Sequence, residues 1–179
     1  MNSIETTAKD YAIKHHWGQM YGNVPYYEHL DDVSLLLKSC NYSSEMVAYG
    51  YLHDILEDCD VSFEDLSREF SPCIASTVYA LTRYKEVPIQ QYYDKLQSNH
   101  KAFIVKLADR ISNIQACCKY IARTDDEVDE KLKKKLLGKL KAYIAGSDRF
   151  TKRFHEAMQR EHILWAYYFK VRDLGASLI

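Results

Sequence analysis

Four polar side chains that could bind a metal or move a proton fall within six residues of a largely apolar stretch. His53 and Asp54 are adjacent, and Glu57 and Asp58 follow within one helical turn. Charged carboxylates in such a setting are costly to bury without a positive partner. A divalent cation would supply that charge. The alternative is an amphipathic helix whose solvated end happens to carry this pattern.

Two further segments place polar groups of the same kinds on apolar faces. His29 shares a helix face with Val33 and Leu37. The competing interpretation is a hydrogen-bonded histidine in the core. Asp109 adjoins the apolar face of a later, longer helix, and Asn113 one turn on points the same way. The alternative there is a solvated aspartate–arginine pair on a surface helix.

These scattered residues could form one metal site. The candidate ligands are two imidazoles and two carboxylates, namely His29, His53, Asp54 and Asp109. A mixed nitrogen and oxygen set leaves positions for water and substrate oxygens, and it suits Mn²⁺ or another octahedral ion. A closed structural zinc site would normally recruit cysteines. We therefore predict one divalent ion, Mn²⁺ by preference, with other divalent metals left open.

Composition and charge narrow the class of protein and of partner. The 179 residues suffice for one domain with a substantial core, and 47% are hydrophobic and 27% charged. The net charge of -1 predicts no general binding to nucleic acid or to anionic membranes. The sequence shows no signal peptide and no apolar run of about 18 residues, so no membrane span is expected.

Cysteine usage indicates a reducing compartment. The five cysteines are odd in number and show no Cys-x-x-Cys spacing. Reduced thiols in a cytoplasmic protein are therefore expected. The sequence does not fix the oligomeric state, and an oligomer is compatible with it.

Helical periodicity runs through nearly the whole chain, and no convincing alternating strand, repeat or interdomain linker interrupts it. We expect residues 18–25 to form a loop, because Gly22 and Asn23 tolerate positive φ. A helix is expected to begin after Ser43 and to continue to about Asp58. The predicted architecture is all-α, in a single domain.

Capping patterns mark several helix starts. Asn2 or Ser3 can cap the first helix, and Ser62 with the carboxylate three residues later resembles a capping box. Residues 124–127 form a second box, which opens a lysine-rich helix that ends at Gly146. Leucines at helical spacing interrupt its charges, so we interpret this helix as having a solvated outer face rather than a nucleic-acid patch.

The order of the candidate ligands resembles the signature of the HD-domain metal-dependent phosphohydrolases. The resemblance is closest to one branch, the (p)ppGpp hydrolases, which comprise the small alarmone hydrolases of the metazoan SpoT homologue type and the hydrolase domain of Rel/SpoT enzymes. It covers roughly residues 8–120. It implies one HD-type helical domain over residues 1–179, with helices in residues 124–175 packing on the part that holds the motifs.

Four linked segments carry this resemblance. They are similar to the branch's His-x-Gly-Gln, Pro-Tyr-x-x-His, His-Asp-x-x-Glu-Asp and Val-Lys-Leu-Ala-Asp-Arg-x-x-Asn motifs. In this chain the segments are His16–Gln19, Pro25–His29, His53–Asp58 and Val105–Asn113. Linked motifs in this order make a chance helix a poor explanation for the histidine–aspartate pair.

The resemblance also implies a division of labour among the residues. The implied metal ligands are His29, His53, Asp54 and Asp109. Glu57 and Asp58 would position and deprotonate the attacking water, and Asn113 would line the pocket of a nucleotide substrate. The chemistry supports this division, because a divalent ion lowers the pKa of bound water and a nearby carboxylate completes its deprotonation.

One segment departs from the branch. In members of the branch, His-x-Gly-Gln is followed by x-Arg-Lys, whose cations face the nucleotide. This chain has Met20, Tyr21 and Gly22 at those positions. An aromatic ring can also stack on a base, so we predict Tyr21 as a substrate-binding residue. The lost positive charge has no evident local replacement.

Three functions are compatible with the sequence. The first is a Mn²⁺-dependent hydrolase that removes the 3′-pyrophosphate from alarmones of the (p)ppGpp type. The second is a related phosphohydrolase that acts on NADPH, a deoxynucleotide or, like an antitoxin, pyrophosphorylated RNA. The third is a non-catalytic nucleotide sensor. Glu57 and Asp58 argue against the third, because a pure binding module needs no general base.

Overall fold

Helices form nearly all the regular structure in the computed structural model, which describes residues 3–124 and 128–179. They are α1 (Ile4–His15), α2 (Tyr26–Ser39), α3 (Ser44–Leu52), α4 (Ile55–Asp58), α5 (Phe63–Glu69), α6 (Pro72–Leu81), α7 (Ile89–Ser98), α8 (His100–Ile121), α9 (Glu130–Ala145), α10 (Ser147–Met158) and α11 (His162–Ala176). The sheet in the described residues is an antiparallel pair, β1 (Met20–Tyr21) and β2 (Val24–Pro25). The all-α prediction is confirmed. None of the helices described has both the length and the apolar character that a membrane crossing requires.

Helix starts follow caps that the sequence contains. Ser3, Ser43 and Ser62 each accept a backbone N–H at the start of α1, α3 and α5, as predicted. Each such cap satisfies a donor that the first helical turn leaves without an intrahelical partner. Asp129 caps α9. The capping box predicted at 124–127 includes residues 125–127, which lie outside the described part of the chain.

The helix that was predicted to continue to Asp58 is interrupted. α3 ends at Leu52, and α4 begins at Ile55. Between them, Asp54 has a φ of -104° and a ψ of 1°, which lies in the bridge region rather than the helical region. The prediction of one helix was therefore wrong, because the apolar pattern continues on both sides and hides the bend. As a result, the acidic pair that follows stands on its own short helix.

The two strands form a hairpin where the sequence predicted only a loop. Met20 pairs with Pro25, and Tyr21 pairs with Val24. The turn contains Gly22, whose φ of +66° suits a residue without a Cβ. The prediction of no strand was therefore wrong here. Strands of two residues are too short to show alternation in the sequence.

The chain divides into two compact units, Met1–Ala108 and Asp109–Ile179. In the first unit, α3 packs against both α1 and α2. A Cβ added to Gly50 of α3 would lie 2.7 Å from the Ser34 Oγ and 3.0 Å from the Ser34 Cα of α2. α2 and α3 therefore approach so closely that glycine is required at this contact.

The second unit surrounds an arginine with aromatic rings. The guanidinium of Arg110 lies 4.9 Å from the ring centre of Phe150, 5.2 Å from that of Tyr143 and 5.9 Å from that of Tyr168. Its Nη2 donates to the Tyr143 carbonyl oxygen at 2.6 Å, and its Nε donates to the Tyr168 hydroxyl at 3.1 Å. Arg110 thereby joins α8 to α9, α10 and α11 through hydrogen bonds and cation–π contacts.

Candidate active site

Two histidines and an aspartate that are distant in sequence come together in the fold. His29 lies in the first turn of α2, His53 directly follows α3, and Asp109 lies within α8. One ligand atom of each lies within 4.8 Å of the others. The three residues are at most 4% exposed. These three residues could hold a metal ion.

Hydrogen bonding fixes which nitrogen of His53 faces the other polar groups. Its Nδ1 lies 2.7 Å from the Gly50 carbonyl oxygen, which can only accept, so Nδ1 carries a hydrogen and donates it. Its Nε2 lies 3.0 Å from Asp54 Oδ2. The Nε2 of His29 lies 3.9 Å from the same oxygen. Asp54 Oδ2 therefore faces both imidazoles.

This donor set fits a divalent cation. Because Nδ1 of His53 carries a hydrogen, a neutral ring turns the Nε2 lone pair toward a carboxylate oxygen of Asp54. The Nε2 lone pair and the carboxylate oxygen, 3.0 Å apart, repel each other unless a positive charge lies beside them. That charge is either a proton on the imidazole or a metal ion that contacts both groups. Metal-bound histidines commonly donate their other ring N–H to a backbone carbonyl, as His53 does to Gly50.

A single tyrosine hydroxyl joins Asp54 to Asp58. The Tyr26 hydroxyl oxygen lies 2.7 Å from Asp54 Oδ2 and 2.8 Å from Asp58 Oδ2. Burial raises the pKa of Tyr26, and the two carboxylates raise it further. The phenol therefore keeps its hydrogen at neutral pH and can donate it to either carboxylate.

Glu57 has the properties of a group that can accept a proton. Its Oε2 accepts the Arg83 backbone N–H at 2.9 Å. Partial burial of the carboxyl group raises the pKa of Glu57, although the Arg83 N–H opposes this shift. The negative charges of Asp54 and Asp58 add to the increase. A carboxylate with a raised pKa is suited to general-base chemistry near neutral pH.

An ordered set of side chains supports Tyr26 and Asp58. The rings of His16 and Tyr26 are parallel, with centroids 4.6 Å apart. His16 Nδ1 donates to Gln19 Oε1 at 2.8 Å, and Gln19 Nε2 donates to the Asp58 carbonyl oxygen at 2.9 Å. Burial lowers the pKa of His16, which favours the neutral form of its ring. Its Nε2 is buried and has no hydrogen-bond partner within the described part of the chain.

The two residues that were predicted to bind substrate each contact a candidate metal ligand. The ring of Tyr21 stacks on that of His29, with centroids 4.5 Å apart and an interplanar angle of 8°. Asn113 is 5% exposed, and its amide donates to the Asp109 carbonyl oxygen at 2.9 Å and also to Asp109 Oδ1. One ring face of Tyr21 is thus occupied, and the Asn113 amide holds the Asp109 carboxylate.

Three residues at the site received no role from the sequence. They are His16, Gln19 and Tyr26, which connect to Asp58 through the contacts given above. All three lie within the segments His16–Gln19 and Pro25–His29, at motif positions other than the ligand. Their position within the motifs could have indicated a role for these residues. A motif that specifies residue types in addition to the metal ligands indicates that those residues also make contacts at the site.

Comparison with known sequences identifies related proteins. A family profile described as HD domain matches residues 8–137. A guanosine-3′,5′-bis(diphosphate) 3′-pyrophosphohydrolase of Drosophila melanogaster is 32% identical over 98 residues, which are 51% of this chain and 55% of that protein. A protein of the same description from Danio rerio is 29% identical over 116 residues, which are 59% of this chain and 64% of that protein. The match spans less than two thirds of either relative.

A solved structure has the same fold. It belongs to a metazoan ortholog of SpoT that is described as hydrolysing ppGpp. The superposition has a TM-score of 0.66 and covers 96% of this chain and 94% of that chain, at 20% sequence identity. The helical architecture therefore extends over nearly the full length of both chains.

Proposed function

Because this chain belongs to the HD domain family, we propose that it is a divalent-metal-dependent hydrolase that removes the 3′-pyrophosphate from alarmones of the (p)ppGpp type. The observation that carries the proposal is the buried group of His29, His53 and Asp109, whose ligand atoms lie within 4.8 Å of one another. The described activity of the Drosophila and Danio relatives supports the substrate class. We propose Mn²⁺ as the ion, because it accepts mixed nitrogen and oxygen ligands.

In this proposal four residues hold the ion, and the rest of the chemistry belongs to neighbouring carboxylates. The ligands are His29, His53, Asp54 and Asp109. When bound, the ion lowers the pKa of coordinated water and neutralises charge on the phosphate oxygens. The Gly50 carbonyl keeps Nε2 of His53 aimed at the site, since it accepts the hydrogen on Nδ1.

Glu57 takes the proton of the attacking water. Its raised pKa suits that role, and the Arg83 N–H orients its carboxylate. Asp58 positions the water, with one of its oxygens held by Tyr26. The water oxygen bonds to phosphorus as the bond to the 3′ oxygen breaks, and the 3′ oxygen takes up a proton, so that ppGpp and water yield GDP and pyrophosphate.

Tyr21 and Asn113 form the nucleotide side of the proposed site. Tyr21 stacks on His29, and we assign its aromatic ring to the purine base. Asn113 keeps Asp109 in place, and we assign it to the lining of the nucleotide pocket. Residues 1–179 then form one catalytic domain, and the free thiols of the described cysteines agree with a cytoplasmic location.

One observation favours a second candidate. Met20, Tyr21 and Gly22 stand where related hydrolases have x-Arg-Lys, and Tyr21 packs its ring against His29. A site without those cations gains less from a highly charged guanosine tetraphosphate. The second candidate is therefore a related phosphohydrolase that acts on NADPH, a deoxynucleotide or pyrophosphorylated RNA.

A substrate panel with Mn²⁺ distinguishes the two candidates by their products. Release of GDP and pyrophosphate from ppGpp is the expected result. Asp54→Ala should lose this activity, whereas Asp60→Ala, which removes an exposed carboxylate nearby, should retain it. No release of pyrophosphate from ppGpp or pppGpp, together with turnover of another phosphate ester, would replace the first candidate with the second.

A further inference from the structure

Tyr26 lies between two carboxylates, and neither the ligand set nor the general base accounts for it. Its hydroxyl oxygen is 2.7 Å from Asp54 Oδ2 and 2.8 Å from Asp58 Oδ2. A phenol has one hydrogen to donate, so two groups of like charge share it. Without that hydrogen the two carboxylate oxygens would repel each other.

The ring of Tyr26 is fixed by its neighbours. It stacks in parallel on His16, with centroids 4.6 Å apart. Its edge contacts with Tyr21 and His29 are nearly perpendicular, each with centroids 5.9 Å apart. Aromatic contacts of both kinds are favourable, so the ring has a defined orientation. The hydroxyl at its tip therefore has a defined position as well.

Asp58 is held at both its backbone and its side chain. Gln19 donates to its carbonyl oxygen at 2.9 Å, and Tyr26 donates to its carboxylate. Asp58 is exposed at the end of the short helix α4, where an unrestrained side chain would sample several rotamers. The hydroxyl thus removes freedom from a carboxylate that the helix alone does not fix.

We propose that Tyr26 is a positioning residue, which holds the Asp58 carboxylate beside Asp54 and keeps Asp54 Oδ2 facing the two imidazoles. The effect on turnover rests on the proposed hydrolase function, whereas the effect on metal binding does not. Hydrogen bonds to metal ligands commonly change metal affinity or activity by about 10- to 100-fold. The same range is expected for loss of the Tyr26 hydroxyl.

Tyr26→Phe tests this role, because it keeps the ring and removes only the hydroxyl. Mn²⁺ alone is titrated into metal-free protein by calorimetry, and the variant is expected to bind about 10- to 100-fold more weakly than wild type. Tyr27→Phe is the matched control, since it makes the same change at an adjacent residue that is 39% exposed, and it should bind Mn²⁺ as wild type does.

Two further measurements accompany the Mn²⁺ titration. At saturating Mn²⁺, Tyr26→Phe should lower kcat while KM stays within about twofold, because the tyrosine acts on the reacting groups and not on substrate binding. Tyr26→Phe leaves the two carboxylates without their shared hydrogen, so the Tm of the metal-free variant should fall, and the Mn²⁺ affinity is the measurement that separates the two roles. A lower metal-free Tm with unchanged Mn²⁺ affinity would show that the hydroxyl only supports the fold and would overturn the proposal.

Asp58→Asn provides a second variant if Tyr26→Phe does not fold. Its amide oxygen still accepts the phenol hydrogen, so Mn²⁺ affinity should stay within about tenfold of wild type, below the loss typical of a broken contact to a ligand. A greater loss would overturn the proposal. Because the titration needs no nucleotide, a wild-type protein that binds Mn²⁺ but cleaves no substrate would refute the proposed function alone.

Discussion

At the scale of single residues, Glu57 can be tested with little disturbance of the fold. Glu57→Gln keeps an oxygen to accept the Arg83 N–H but cannot take a proton from water. Turnover should fall by about 10²- to 10⁴-fold, while the Mn²⁺ content stays at the wild-type level. Steady-state kinetics and metal analysis measure the two effects. The control is Glu64→Gln on α5, where the side chain is exposed. Normal turnover of Glu57→Gln would mean that another group accepts the proton.

The raised pKa of Glu57 also predicts the direction of the pH dependence. A general base works only in its ionised form, so activity should be lost as the pH falls through its pKa. Since partial burial raises that pKa, the acidic limb of kcat/KM should lie above the ordinary carboxyl value of 4.5. Rate measurements across the acidic and neutral range locate the limb. A midpoint at or below 4.5, or an identical limb in Glu57→Gln, would contradict the assignment.

At the scale of elements, the contact between α2 and α3 should tolerate no larger residue at Gly50. In Gly50→Ala the new Cβ would approach the Ser34 backbone to 3.0 Å, so one helix has to shift. The free energy of unfolding should fall by about 1–3 kcal/mol, as in other overpacked cores. Mn²⁺ affinity should fall as well, because the Gly50 carbonyl orients His53. Denaturant unfolding and metal titration measure these effects.

Gly138→Ala is the matched control for that substitution. Gly138 lies within α9, and a Cβ there would meet no atom within 4 Å. Helix propensity alone then predicts a gain of about 0.5–1 kcal/mol. A similar loss of stability in both variants would show that the contact with Ser34 does not decide the effect at Gly50.

The arginine in the second unit should not be replaceable by lysine. Lysine keeps the charge, but its ammonium cannot reproduce the planar pair of hydrogen bonds to the Tyr143 carbonyl and the Tyr168 hydroxyl. Arg110→Lys should lower the free energy of unfolding by about 1–3 kcal/mol, measured in denaturant. Arg149→Lys, at an exposed position on α10, should change it little. Equal stability of the two variants would mean that charge alone suffices at residue 110.

At the scale of the whole molecule, metal binding should appear as stability. A ligand that binds only the folded state stabilises it by about 2.7 kcal/mol at 100 times its Kd. Mn²⁺ should therefore raise the Tm, and EDTA should reverse the rise. Asp54→Ala should abolish the effect, and Asp60→Ala should retain it. A full Mn²⁺-dependent rise in Asp54→Ala would exclude Asp54 from the ligands.

The helical class and the residues of the candidate metal group could be predicted from the sequence alone. Both depend on local signals, since periodicity reports a helix face and buried histidines or carboxylates on such a face are uncommon. His29, His53 and Asp109 were identified in this way, and the structure places their ligand atoms within 4.8 Å. Residue type and spacing thus carried information about a tertiary cluster.

Other features could not be predicted because they depend on contacts between distant segments. The Tyr26 hydroxyl meets a carboxylate 32 residues later, and no local pattern reports such a pair. The bend at Asp54 keeps the apolar pattern intact, so periodicity does not detect it. The requirement for glycine at residue 50 arises from a neighbouring helix rather than from its own.

The hydrogen bond that orients Glu57 has a consequence for how this protein can vary over generations. Its donor is the main-chain N–H of Arg83, and every residue type except proline offers that group. Replacement of the side chain at residue 83 therefore leaves the donor in place. The orientation of the Glu57 carboxylate therefore depends on the path of the backbone at residue 83 and not on the side chain there. For this hydrogen bond, selection at residue 83 would exclude only proline.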